Sequence, residues 1–180
     1  TQLNQIDRSS SHLLSIINDV LDFSKIESGK LELEQTDFHL SAIVDHIVSM
    51  SQGQIEAKGL HIKIDTDAVP HWLRGDPTRL RQALLNYVGN AIKFTEQGTI
   101  YVRAIKAQEQ GNRVLVRFEV QDTGVGIAPE QMANLFKAFE QADVSTTREY
   151  GGTGLGLVIT ERLATLMGGE AGVESELGVG

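Results

Sequence analysis

The sequence predicts an α+β fold led by a long N-terminal helix. Three observations predict it. A broad apolar stripe at helical spacing fills the first 28 residues. Separate alternating runs follow, the strongest being Val114, Val116, Phe118 and Val120. Between these regions lies a stretch with one polar and one apolar helical face.

In the first segment Ile6, Leu13, Ile17 and Val20 recur at helical spacings, and Leu14, Ile16, Leu21 and Phe23 widen the stripe. So wide a stripe calls for partner helices, as in a bundle. Gly29 is the expected stop. Leu31 and Leu33 alternate with Glu32 and Glu34, which predicts a short strand. A helix is expected over residues 41–58, with Ile43, Ile47 and Met50 on one side. Leu60, Ile62 and Ile64 predict another strand. Asp76-Pro77 is a strong helix start, because Asp caps and Pro fits the first turn; that helix runs to about residue 94. Strands follow near 99–107 and 113–121, joined by a turn at Gly111-Asn112. Pro129 begins a short helix that carries Phe136 and Phe139, two aromatics expected to pack in the core. Residues 140–153 have the polar, Gly-containing composition of a loop. A last helix over 155–167 and a strand over 171–175 complete the reading.

Composition narrows the function. The chain of 180 residues has 41% hydrophobic content, a formal charge of -8 and no cysteine. The acidic balance disfavours nucleic acid. The absence of Cys excludes disulfides and thiolate zinc sites. No apolar run approaches the roughly 18 residues of a membrane span, and no signal peptide is visible. A cytoplasmic domain is expected. The chain opens on Thr1 and stops on Gly180 in a Gly-rich stretch, so both ends read as cut from something longer.

Three constellations carry chemistry. First, Asp122 continues the register of the apolar strand face, so a face that should be buried ends in an acid. A buried carboxylate needs a donor. The neighbouring Gly124 and Gly126 let the backbone approach a ligand closely, and an adenine amino group is one such donor. Second, Arg79, Gln82, Asn86, Asn90 and Lys93 share one stripe of the helix after Asp76, opposite Leu84, Val88, Ala91 and Ile92. A solvated face is one explanation. A functional stripe is the other, and it accounts for two asparagines in a helix that would more cheaply use Glu, Lys or Gln. An Asn oxygen suits a hard Mg²⁺ ion, and Lys93 suits phosphate. Third, Gly151, Gly152, Thr153, Gly154, Leu155 and Gly156 precede the last helix. They form either a hinge or an anion site built on free N–H groups, with Arg148 as a nearby cation. Neither a P-loop nor a G-x-G-x-x-G fingerprint occurs. His12, His39, His46, His61 and His71 lack clustered partners and read as structural or surface residues.

Taken in order, these segments resemble the sensor histidine kinases of two-component systems. Residues 86–95 (NYVGNAIKFT) look like that family's N box, and 122–127 (DTGVGI) like its G1 box. Phe136 to Phe139 resembles the F box, and 151–157 (GGTGLGL) the G2 box. Residues 21–30 look like part of the second helix of a dimerisation and phosphotransfer hairpin, and the region around Thr147 is closest to hybrid kinases. The resemblance implies a Bergerat-type α/β sandwich, a mixed sheet covered by helices on one face. It divides the chain into a hairpin helix at 1–28 and an ATP-binding catalytic domain at 29–180.

By the same resemblance Asp122 binds adenine and Asn90 coordinates Mg²⁺, while Asn86, Lys93 and Arg148 lie near the phosphates. Gly124, Gly126 and Ile127 shape the adenine end. Gly152, Thr153, Gly154, Leu155 and Gly156 line the phosphate end, and residues 140–153 form a lid. The implied activity is transfer of the ATP γ-phosphoryl group to a histidine on a dimerisation helix, for relay to a response-regulator receiver domain. The implied partners are that receiver and the chain's own dimerisation helices, as a homodimer in the parent protein. The family's H box is missing, so this stretch is expected to bind nucleotide without phosphorylating itself. Membrane anchoring of the parent stays open. Two alternatives stand beside this reading: a non-kinase ATPase of the same superfamily, and a nucleotide-binding regulatory scaffold.

Overall fold

The computed structural model describes residues 2–139 and 153–180; side chains of residues 2–9, 11 and 12 are outside the description. Helix α1 spans Gln2–Glu27. It stops where expected. Gly29 takes a left-handed φ of 64°, its N–H reaches the Ile26 carbonyl at 3.0 Å, and the Lys30 N–H reaches Lys25 at 2.9 Å. Gly tolerates that conformation without a Cβ penalty. Then come β1 (Thr36–His39), α2 (Leu40–Lys58), β2 (His61–Asp65), β3 (Trp72–Gly75) and α3 (Pro77–Phe94). Strands β4 (Thr99–Gln110) and β5 (Arg113–Gln121) form a hairpin. Helices α4 (Pro129–Met132) and α5 (Gly156–Leu166) complete the described elements.

The main sheet has the order β2-β4-β5 and is mixed: β2 runs parallel to β4, and β4 antiparallel to β5. Helices α2 and α3 lie against it. Ile43, Ile47 and Ile55 of α2 meet Leu84, Val88, Ala91 and Ile92 of α3 over Ile100 and Val102 of β4. These are the residues that the helical and alternating spacings place inward. Asp76 caps α3, with its Oδ1 accepting from the Arg79 N–H at 2.9 Å. This mixed sheet backed by helices is the α/β sandwich expected.

Several expectations are corrected. Leu31 and Leu33 are half-buried and their glutamates exposed, yet 31–35 form no strand. The Glu34 N–H goes instead to the Asp76 carboxylate at 3.0 Å, and Leu31 packs beside α5. The first strand is β1, four residues paired antiparallel with β3, and neither was foreseen. Both are too short to show a period. Met50 is 60% exposed, because the buried row of α2 runs through Leu40, Val44, Ile47, Ser51 and Ile55 and leaves Met50 beside it. Residues 171–175 form no strand. There the Tyr87 hydroxyl donates to the Gly172 carbonyl at 3.3 Å and Ser175 Oγ accepts from the Ile127 N–H at 2.8 Å, so side chains hold the segment in place of a ladder. The short helix ends at Met132, before Phe136 and Phe139. Phe139 is 67% exposed rather than buried in the core. Residues 140–152, most of the expected lid, lie outside the described residues.

Candidate functional site

An open cavity of about 2740 Å³ runs between α3, β5 and the 169–180 segment. It exceeds the roughly 300–1,000 Å³ of a small-molecule site, so a single ligand would fill only part of it. Asn86, Asn90 and Lys93 line it from α3. Asp122, Gly126 and Ile127 line it from the turn after β5, and Thr153, Gly154 and Gly156 from the entry to α5. Residues drawn from three distant stretches of sequence thus converge on one wall system.

Asp122 stands at the end of β5, half-buried and facing the cavity. Its Oδ1 accepts from the Gly124 N–H at 2.8 Å and lies 3.5 Å from the hydroxyl of the fully buried Thr95. No ion pair engages it among the described residues, so acceptor capacity remains for a ligand donor. Gly124 lies behind this acid: a Cβ there would come 2.5 Å from the Phe94 carbonyl oxygen. At Gly126, φ is +67° and a Cβ would run into the Glu176 carbonyl. Both positions require glycine, one for close approach and one for handedness.

The polar stripe of α3 divides into two halves with different work. At its N-terminal half, Asp22 of α1 accepts from Arg79 at 3.0 Å and from Gln82 at 2.8 Å. At its C-terminal half, Asn90 and Lys93 face the cavity. Asn90 makes no side-chain hydrogen bond among the described residues. Lys93 is held below the usual lysine range by burial, and its ammonium lies 4.8 Å from the Phe94 ring centroid. Asn86 sits between the halves. Its amide donates to the Gly156 carbonyl at 2.9 Å and to Thr160 Oγ1 at 3.3 Å, which ties α3 to the first turn of α5. A Cβ at Gly156 would come 2.8 Å from Asn86 Oδ1.

Across the cavity, Gly154 takes a φ of +67° and Leu155 is fully buried with Ile159 and Leu163. Thr153 Oγ1 accepts from the Leu155 N–H at 3.2 Å and donates to Asp19 of α1 at 3.0 Å. Burial, and secondarily the Asp22 charge, push the Asp19 carboxyl up, against the Thr153 hydrogen bond that pulls it down. Arg148 and Gly152 lie outside the described residues. Asp19 and Asp22 were not among the expected site residues. Each is one helical turn from the other, as are Arg79 and Gln82, but nothing in the sequence pairs the two helices.

Comparison with known proteins follows the same lines. Residues 75–180 match the family described as histidine kinase-, DNA gyrase B- and HSP90-like ATPases. The chain is 46% identical over 175 residues to the signal transduction histidine-protein kinase BarA of Escherichia coli K12, covering 97% of this chain and 19% of BarA. It therefore spans about a fifth of that relative's length. Full-length ShkA, crystallised in complex with AMPPNP, superposes with a TM-score of 0.80 at 39% identity, covering 96% of this chain and 35% of ShkA. The histidine kinase ThkA, solved in complex with the response regulator TrrA, matches with a TM-score of 0.64 at 25% identity, covering 92% of this chain and 44% of that one. The chain belongs to the histidine kinase-, DNA gyrase B- and HSP90-like ATPases, and within them to the ATP-binding catalytic domains of histidine kinases.

Proposed function

We propose that ATP binds as its Mg²⁺ complex with adenine at Asp122 and phosphates between α3 and the entry to α5, and that its γ-phosphoryl group passes to a histidine on a dimerisation helix. The observation that carries this reading is the convergence of Asp122, Asn90 and Lys93 on one cavity. Asp122 accepts from the exocyclic adenine amine. Gly126 and Ile127 bound that end. Asn90 offers an amide oxygen of the kind that suits Mg²⁺, which commonly keeps several waters and few protein ligands. When bound, Mg²⁺ neutralises phosphate charge during transfer. Lys93, Arg148 and the backbone around Gly152, Thr153, Gly154, Leu155 and Gly156 supply the remaining positive potential. In the reaction a histidine nitrogen forms the new bond to the γ-phosphorus as the bond to the β–γ bridging oxygen breaks, and ADP leaves. No histidine lines the cavity among the described residues, so the acceptor comes from outside it.

In the same reading residues 1–28 are the second helix of a dimerisation and phosphotransfer hairpin, 29–180 are the catalytic domain, and the parent protein works as a homodimer with a receiver domain as the next acceptor. The ThkA–TrrA complex supports a response regulator as partner. The hydrolytic alternative lacks its base at the N-box position where such ATPases place Glu, because Asn86 is a neutral amide bound to Gly156 and Thr160. A direct test supplies a hairpin carrying a histidine followed by an acid, together with γ-labelled ATP. Label on that histidine is the expected result. Steady phosphate release with no label on the hairpin would favour the hydrolytic alternative.

A further inference from the structure

The C-terminus of α3 should expose unsatisfied carbonyl oxygens, as every helix end does. Here a cation from another element gathers them. Lys58, the last residue of α2, sends its ammonium to the carbonyl oxygens of Ile92 at 2.8 Å, Lys93 at 3.0 Å and Thr95 at 3.1 Å. An ammonium has three donors and no acceptor, and positive charge suits this end of the helix dipole. Gly59 follows with a φ of 64° and turns the chain away, so Lys58 is delivered to this spot by the end of α2 itself.

The turn so held is one wall of the site. The Phe94 carbonyl accepts from the Val125 N–H at 3.3 Å. The same carbonyl is the atom that forbids a Cβ at Gly124. Thr95, two residues past Lys93, stands with its hydroxyl 3.5 Å from Asp122 Oδ1. Phe94 and Thr95 therefore hold the 122–125 turn through two hydrogen bonds and leave no room for a Cβ at Gly124, while Lys58 binds the carbonyls of Ile92, Lys93 and Thr95.

We propose that Lys58 is a positioning residue of the nucleotide site: by gathering these three carbonyls it fixes the turn against which Asp122 and its glycines are set. This inference rests on the adenine reading of Asp122. Adenine presents an amine to the carboxylate, whereas guanine presents an oxygen there and is repelled. Loosening the turn should therefore lower discrimination between the bases more than it lowers phosphate binding.

The test measures Mg·ATP and Mg·GTP affinity for this 180-residue chain and its Lys58→Met, Lys58→Gln and Lys58→Arg variants, well below each melting temperature. Ile47→Val, a core change on α2 at the 1% exposed Ile47, serves as a control for general destabilisation. The expected result is a loss of about tenfold in the ATP-to-GTP affinity ratio for Met and Gln, restored by Arg and untouched by Ile47→Val. An unchanged ratio in Lys58→Met and Lys58→Gln, or an equal fall in Ile47→Val, overturns the inference while the adenine reading survives. Failure of the unsubstituted chain to bind ATP takes both down.

Discussion

Lys93 shows how a single residue is tuned by its surroundings. Burial holds its ammonium below the usual lysine value of 10.5, since taking a charge out of water disfavours the charged form. Folding is opposed by that charge at neutral pH and is relieved as the lysine loses its proton. Phosphate reverses the balance by favouring the charged form. Nucleotide affinity should therefore fall as pH rises through the lowered pKa of the free protein, at a lower pH than an ordinary lysine would give. Calorimetric titration across alkaline pH checks this. Lys93→Met should bind more weakly and lose that alkaline limb, and an unaltered limb in the variant would assign the titration to another group. Asp122 and Lys93 stood out in the sequence, as an acid in an apolar register and a cation beside two asparagines, and both line the cavity. The contacts of Thr95 and Lys58 were not legible. Their partners lie on other elements, and an isolated Thr or Lys carries no pattern.

Among the elements, α1 is joined to α3 and to α5 with its entry by side chains of residues 19–27. Asp22 binds Arg79 and Gln82 on α3. Asp19 binds Thr153 at the entry to α5. Phe23 meets Phe139 edge-on at 6.3 Å and, with Ile26, covers the cluster of Leu155, Ile159 and Leu163. Glu27 pairs with Arg162 at 3.3 Å, an exposed bridge of small value. The Asp22 contacts are only about a fifth exposed. Removing them with Asp22→Ala should cost about 1.5–3 kcal/mol, the range for hydrogen bonds to charged groups. Hydrogen exchange should show the cost as faster opening of residues 16–27, with β4 still protected. Unchanged protection of α1 would show that the apolar cluster alone holds it. Because the Asp19 carboxyl is pushed up, its contribution to docking strengthens as pH falls from that raised value toward 3.8 and weakens above it.

Long elements with a clear period, α1, α2, α3, β4 and β5, were legible to within a few residues. The four-residue strands β1 and β3 were not, since a period needs more repeats than they contain. The 31–35 and 171–175 segments alternate as strands do, but a backbone group of each finds a side-chain partner, the Glu34 N–H at Asp76 and the Gly172 carbonyl at Tyr87. Alternation reports which side faces inward, not whether a neighbouring strand is present.

For the whole molecule, the cavity is assembled from segments far apart in sequence, with the polar half of α3 on one side and two glycine-bearing turns on the other. The order of the motifs was readable, and it led to the family to which the chain belongs. The depth of the cavity and the docking of α1 across two of its walls were not, because both depend on long-range packing. Ligand binding to such an assembly stabilises the native state by mass action. At about a hundredfold excess over its dissociation constant, Mg·ATP should add about 2.7 kcal/mol, on the order of 5–10 °C in melting temperature for a chain of this size.

In the function proposed, Asp122 is the acid that reads adenine in this cavity. The most direct measurement is titration of Mg·ATP into the chain and into Asp122→Asn, with melting curves of both unliganded proteins as reference. Saturable binding to the former, a loss of at least about tenfold in the latter and similar unliganded melting temperatures are expected. Equal affinity in the two proteins, or no binding to the unsubstituted chain at millimolar nucleotide, would contradict it.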